Sequence, residues 1–414
     1  MVLNKTTGKI KEILDNWGYN SKVLALTEIF WSLPMSWIYF YRPIFLRNLG
    51  FTNIEISLVF STLSFYNVIL PFFGSILANK LGKKKAFMLC DSFGWTLALI
   101  NWIISKSFIH VMIAISFEGF VWTTASVWET LLVEDTKPEF RTSVYSFVSL
   151  MYTIGSLTTP IAGMVIGMFG IDFGNRILLS VALFSLVTMF ILRWTLLHED
   201  KEHLNNEREN KVHSNFKEYE KAIQTILYSK PLLIILVTSV LGSFYYIATL
   251  DYLPLFLIDE KGLNLTASLA SIIPLFSSLV TLLLLLFYVP NLRNKEQHLL
   301  ALTLGYISSV VSYLVLVVFA RSSLVTALLF SVLNGFYSSV SFSVVRTFLN
   351  NEIDEVGSYT RISILSIVAI STNVANVLTP MLLGFLYSLN PKYPFILVVA
   401  AMLINLFLMK SLKK

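Results

Sequence analysis

The chain has a single cysteine, Cys90, in 414 residues. An internal disulfide and a cysteine-bound metal are both excluded. Charge is also scarce: Asp, Glu, Lys and Arg make up 14% of the chain, where soluble proteins carry about 25%. The five histidines (His110, His198, His203, His213 and His298) lie at the ends of apolar runs or in a polar stretch. They form no H-E-x-x-H pattern, and neither G-x-S-x-G nor G-x-x-x-x-G-K-[ST] occurs. The chain is therefore not read as an enzyme, no metal or other cofactor is expected, and ATP has no binding loop. The net charge of +6 forms no continuous basic stripe, so nucleic acid is not expected as a partner.

Apolar residues fill the space left by the missing charge, at 55% of the chain. Lipid offers no water to backbone amides, so long apolar runs must be helices that bond internally. Twelve runs are near the roughly 20 residues that a span needs: 23–46, 54–78, 86–105, 108–133, 143–168, 176–197, 231–258, 267–290, 298–320, 323–349, 361–388 and 394–410. The expected fold class is an all-α membrane protein of two six-helix bundles, residues 23–197 and 231–414, joined by the charged linker 198–230. Residues 1–22 contain no apolar run of signal-peptide length and are read as a tail. Ile10, Ile13, Leu14 and Trp17 fit an amphipathic helix on the membrane surface, with a solvated tail as the alternative.

Lysine and arginine collect in the tail, at Lys80, Lys83, Lys84 and Lys85, at Lys137 and Arg141, in the linker, and at the C-terminus. The bias places both termini and the linker in the cytoplasm, with the plasma membrane as the expected location. The two halves also resemble each other. Tyr41-Arg42-Pro43 in the first span matches Tyr252-Leu253-Pro254 in the seventh, and Arg141 precedes Thr159-Pro160 by the interval at which Arg361 precedes Thr379-Pro380. Such duplication is a mark of secondary transporters.

The loop after the second span reads Ser75-Ile76-Leu77-Ala78-Asn79-Lys80-Leu81-Gly82-Lys83-Lys84-Lys85. It resembles the G-x-L-a-D-[RK]-x-G-[RK]-[RK] signature of the major facilitator superfamily, with Asn79 where that family usually has Asp. A shorter copy, Asn291-Leu292-Arg293-Asn294-Lys295, follows the eighth span. In the fifth span Gly155, Pro160 and Gly163 resemble the glycine–proline element of the family's exporters, while Thr159 and Met164 replace two of its glycines. The resemblance implies the superfamily's fold and transport by alternating access, with spans one, four, seven and ten lining a central cavity.

Charges inside a span cost about 2.5–3.5 kcal/mol each, so those retained are candidates for function. They are Glu28, Arg42, Asp91, Glu118, Glu129, Asp251 and Arg346. Glu118 and Glu129 are separated by about three helical turns, which would place them on one face with Trp122 and Ala125. Glu28, Ser32, Met35, Tyr39 and Arg42 would form a stripe along span one. Candidate solute- or proton-binding residues are Glu118, Trp122, Tyr39, Glu28, Asn373, Asn376 and Tyr245. Arg42 with Asp251, and Glu129 with Arg346, are candidate gate pairs at opposite ends. Asp91 is read as a tether for the lysine loop. The expected function is monomeric, secondary transport of a small solute, with protons as coupling ion and export of amphipathic compounds. Uptake of a sugar or other small metabolite, or a transporter-like receptor or scaffold without flux, are the alternatives.

Overall fold

The computed structural model describes residues 15–199, 216–292, 294–319, 324–356 and 361–412. Among them, twelve helices are long and apolar enough to cross a membrane. The first six spans are Tyr19–Asn48, Asn53–Phe73, Lys83–Ile104, Phe108–Val133, Pro138–Phe169 and Ile171–Leu196. Spans seven to twelve are Lys230–Ile258, Ala267–Asn291, Lys295–Val318, Leu324–Ser341, Ser363–Leu389 and Tyr393–Lys410. Each falls on an expected run, because the need to bond every amide internally fixes length and type together. Ile10, Ile13 and Leu14 of the expected tail helix lie outside the described residues. Trp17 is buried, and its indole N–H donates to Ser143 Oγ at 2.7 Å, so that end of the segment belongs to the bundle. Within the expected linker, Phe216–Tyr228 is a helix that buries Ala222 and Ile226.

Several spans are not continuous α-helices. Span one turns at Glu28, between helices Tyr19–Thr27 and Ile29–Asn48. Span four has a 3-10 stretch at Trp122–Thr124, and span five breaks at Thr158, just before Thr159-Pro160. Span seven carries a π-turn at Ala248–Tyr252, just before Pro254. Proline explains the last two positions, since its ring clashes with the preceding turn and offers no N–H. The loop after span two turns at Gly82, whose φ of +88° suits glycine. A Cβ there would also collide with the Glu199 carboxylate.

Contacts divide the chain into two compact units that do not follow its two sequence halves. Unit one holds residues 1–38, 66–158 and 173–211; unit two holds 39–65, 159–172 and 212–414. Spans one, two and five each contribute to both, and span five changes unit at its own helix break.

Small residues permit the close helix approach that membrane packing rests on. Within unit one, a Cβ on Gly155 would come within 2.2 Å of the Ser32 backbone oxygen, so spans one and five meet nearly backbone to backbone. Within unit two, Gly163 does the same against Ser268 and Ser271 of span eight. The Trp37 indole N–H donates to Thr158 Oγ1 at 2.9 Å beside the first contact. Replacing Gly155 with Leu should therefore cost at least the roughly 1–3 kcal/mol typical of overpacking. A lowered unfolding midpoint of the purified variant in detergent checks this; an unchanged midpoint would mean that spans one and five do not touch there.

Candidate functional site

In unit one, four spans converge on a single guanidinium. Arg193, near the end of span six, is 2% exposed. Its Nη2 donates to Glu28 Oε2 at 2.6 Å, and its Nε donates to Thr27 Oγ1 at 2.9 Å, both on span one. Its Nη1 lies 3.8 Å from Asp91 Oδ2 on span three. Tyr152 of span five donates its hydroxyl to Glu28 Oε1 at 3.1 Å. Both carboxylates are buried, Glu28 at the turn that interrupts span one. Asp91, expected as a tether for the lysine loop, is held toward Arg193 instead. Arg193 itself was missed, because a cation in the last turns of a span reads as a flank that snorkels to the interface. A charge count could have found it: Glu28, Asp91, Glu118 and Glu129 sit in the first six spans against one assigned cation, Arg42.

Glu118 is buried and accepts a hydrogen bond from the Trp102 indole of span three at 3.2 Å. Trp122 is 37% exposed and Glu129 is exposed. The 3-10 stretch Trp122–Thr124 lies between Glu118 and Glu129 and overwinds the helix there, so the continuous α-helix that their expected common face assumed is interrupted. Packing of the Glu118 turn is close: a Cβ on Gly119 would overlap the Tyr66 ring.

In unit two, the ends of spans one, two and five remote from the termini pack with spans seven, eight and eleven. Arg42 and Asp251 are both buried there, the charge of Arg42 acts on the Asp251 carboxyl, and Arg42 also lies 4.9 Å over the half-buried Tyr39 ring. Asp251 belongs to the π-turn of span seven. The repeated Tyr-x-Pro places two fully buried tyrosines at this end. Tyr41 donates its hydroxyl to Ala267 O at 2.8 Å, and Tyr252 donates to Pro380 O at 2.6 Å. Arg47 pairs with Asp259 at 2.9 Å, and Tyr387 donates to the same carboxylate at 3.1 Å.

The lysine loop works through its side chains. Lys83 pairs with Glu134 beyond the end of span four at 3.1 Å, and Lys84 donates to the carbonyls of Trp194, in the last turn of span six, and of Leu197, just past it. The first contact recurs in the second half, where Lys295 pairs with Glu352 at 2.6 Å. The duplication thus repeats an ion pair as well as a sequence pattern. Asn79 and Lys80 are exposed, while the side chains of Ser75 and Arg346 lie outside what the structure describes. The Glu129–Arg346 pair is therefore not described.

Tyr245 is buried in unit two, with its hydroxyl 2.7 Å from Asn334 Oδ1 and 3.0 Å from Ser338 Oγ. Rings of Tyr313 and Tyr337 stand edge-on to it, so it belongs to a packed tyrosine cluster. Asn373 and Asn376 are half-buried on span eleven, and Asn376 Oδ1 is buried without a hydrogen-bond partner among the described residues. Among those residues no group of His, Cys, Asp and Glu is arranged to hold a metal.

The sequence profile of the Major Facilitator Superfamily matches residues 24–363. Multidrug resistance protein 2 of Bacillus subtilis (strain 168) is 24% identical over 271 residues, 64% of this chain and 63% of that protein's length. A mutant form of the nucleoside transporter NupG superimposes with a TM-score of 0.75 at 13% identity, covering 95% of this chain and all of that one. A bacterial homologue of the lysosomal transporter Spinster, in an inward-facing and occupied conformation, gives 0.67 at 12% identity, covering 95% of this chain and 96% of that one. These structures share the fold.

Removing the guanidinium should leave two carboxylates buried without their counter-charge. Arg193→Ala is expected to destabilise the chain by about 3–5 kcal/mol, the usual cost of breaking a buried pair. Lys83→Ala removes a partly exposed pair and should cost no more than about 1 kcal/mol. Unfolding midpoints of the two variants in detergent compare them directly, and equal small losses would deny Arg193 its central place.

Proposed function

Because the chain belongs to the major facilitator superfamily, an integral membrane transporter family, we propose that it is a secondary carrier exporting amphipathic compounds by alternating access, with protons as coupling ion. The observation that carries this reading is the end of unit two remote from the termini. There the tip of span one is tied to the start of span eight by the Tyr41–Ala267 hydrogen bond and to the residue after span seven by the Arg47–Asp259 ion pair. Gly163 of span five packs on span eight and Ser57 of span two on span eleven, and Arg42 and Asp251 are buried at the same end. Polar contacts of this kind can be exchanged for water when an end opens, whereas a purely apolar seam gains nothing from wetting.

With the termini and the linker in the cytoplasm, as the lysine bias supports, that end faces outward and Arg42–Asp251 is its latch. Glu129–Arg346 would be the latch of the opposite end. A rocking carrier closes its two ends in turn. Export of amphipathic solutes is supported by the fifth-span element around Gly155, Pro160 and Gly163. The description of the Bacillus subtilis relative as a multidrug resistance protein points the same way. Proton coupling is supported by four buried carboxyls, Glu28, Asp91, Glu118 and Asp251. A monomer contains all of these parts.

The test is efflux of a lipophilic cationic dye from proteoliposomes under an imposed proton gradient. Gradient-driven movement is expected. Dye that does not move would remove amphipathic export, and movement indifferent to the gradient would remove proton coupling. In a Cys90→Ser background, cysteines at 42 and 251 joined by a short cross-linker should abolish flux, and reduction of the linker should restore it. Full flux with the link in place would show that this end need not open.

A further inference from the structure

We infer that Glu28, Asp91 and Arg193 form a one-proton switch, in which Asp91 holds the proton while Glu28 holds the arginine. The argument starts from charge. The arginine cannot lose its proton, so with both acids ionised the cluster would carry a net negative charge. Glu28, Asp91 and Arg193 are 4%, 6% and 2% exposed. A dry site does not hold an unbalanced carboxylate; it takes up a proton instead.

Geometry decides which acid takes it. Glu28 accepts from Arg193 Nη2 at 2.6 Å on one oxygen and from the Tyr152 hydroxyl at 3.1 Å on the other. Both its oxygens are used as acceptors, which suits the ionised form. Asp91 stands 3.8 Å from Nη1, beyond a hydrogen bond, and is the acid left to be neutral. The Trp95 side chain on its own helix hydrogen-bonds to Asp91, a bond that a neutral carboxyl still accepts on its carbonyl oxygen, and Cys90 beside it meets Thr124 of span four. Trp31 packs edge-on to Trp95 and against Tyr152, screening the site with aromatic rings.

The switch follows from where Glu28 sits. It occupies the turn that interrupts span one, and span one is shared between the two compact units. A movement of that span that draws Glu28 away from Nη2 leaves Asp91 as the remaining acid beside the guanidinium. Asp91 then ionises and releases its proton, and Glu28 takes one up as it leaves its counter-charge. One proton is exchanged between two carboxyls and no other reactant is needed.

The probe is the proton itself, read in the full chain in lipid at neutral pH as the infrared carbonyl stretch of protonated carboxyl groups. Asp91→Asn should remove one component of that band. Glu28→Gln should remove the same component, because Asp91 then becomes the sole counter-ion and ionises. In protein labelled with carbon-13 in its aspartate carboxyls, the lost component should carry the isotope shift. A band unchanged in both variants would overturn the shared proton, and a lost component without the shift would overturn its assignment to Asp91. If either variant fails to fold, the other, read in labelled protein, decides alone. The use of this proton in transport rests on the carrier reading above, but the two fail separately. Absent flux with the band in place strikes at the carrier, and flux with no band strikes at the switch.

Discussion

An arginine keeps its charge wherever it is placed, and the interior of a helix bundle in lipid has no water with which to solvate it. Arg193 meets that constraint by drawing a ring of partners around itself: Glu28 and Thr27 from span one, Asp91 from span three, and Tyr152 through Glu28 from span five. Four spans of unit one are tied to one planar group whose fork of donors fixes directions as well as distances. Apolar packing alone gives lipid-embedded helices little preference for each other over lipid. The buried ion cluster supplies that preference, and so it sets the register of these spans.

Helix interruptions complement the cluster. Glu28 lies at the turn in span one, Asp251 lies in the π-turn of span seven, and span five breaks where it passes from one compact unit to the other. At each place the backbone already departs from α geometry, so a change in bend asks for little further loss of hydrogen bonding. Transporters of this architecture use broken helices around their sites. In spans one and seven the breaks stand next to the acids, so motion through either alters the distance between an acid and its cation. Mechanics and electrostatics are joined at the same residues.

Much of this was legible in the sequence, for physical reasons. Twelve spans follow from the bilayer's thickness, and the Tyr-x-Pro repeat and the lysine loop follow from positions that a duplicated fold must keep. Arg42 and Asp251 were found as charges in the outer thirds of their apolar runs, at matching depths in the two repeats. Arg193 was not, since burial of a cation near a span end depends on what neighbouring helices place beside it. The shared face expected of Glu118 and Glu129 assumed an unbroken α-helix. A three-residue 3-10 stretch, Trp122–Thr124, leaves no mark in hydropathy. The division into units cuts through spans one, two and five because tertiary contact, not chain order, defines it.

The duplication shows that the cluster belongs to one half. Thr27 stands as far into span one as Thr238 does into span seven, and Asp91 follows Lys83 by the interval at which Thr303 follows Lys295. Asn405 follows Arg193 by the interval at which Thr303 follows Asp91, one residue more than separates Thr27 from Thr238; it is fully buried and donates from Nδ2 to Thr238 O at 3.4 Å. Both halves therefore keep a polar tie between their first and last spans at a threonine. In the second half the tie is made with neutral groups, while in the first it carries a guanidinium and two acids. A neutral tie is enough to hold two helices in register. Registration alone thus gives no reason for the first half to bear the greater desolvation cost of ions. What the ionic version adds is a charge state that depends on which acid faces Arg193, and that dependence is confined to the half containing the interrupted span one.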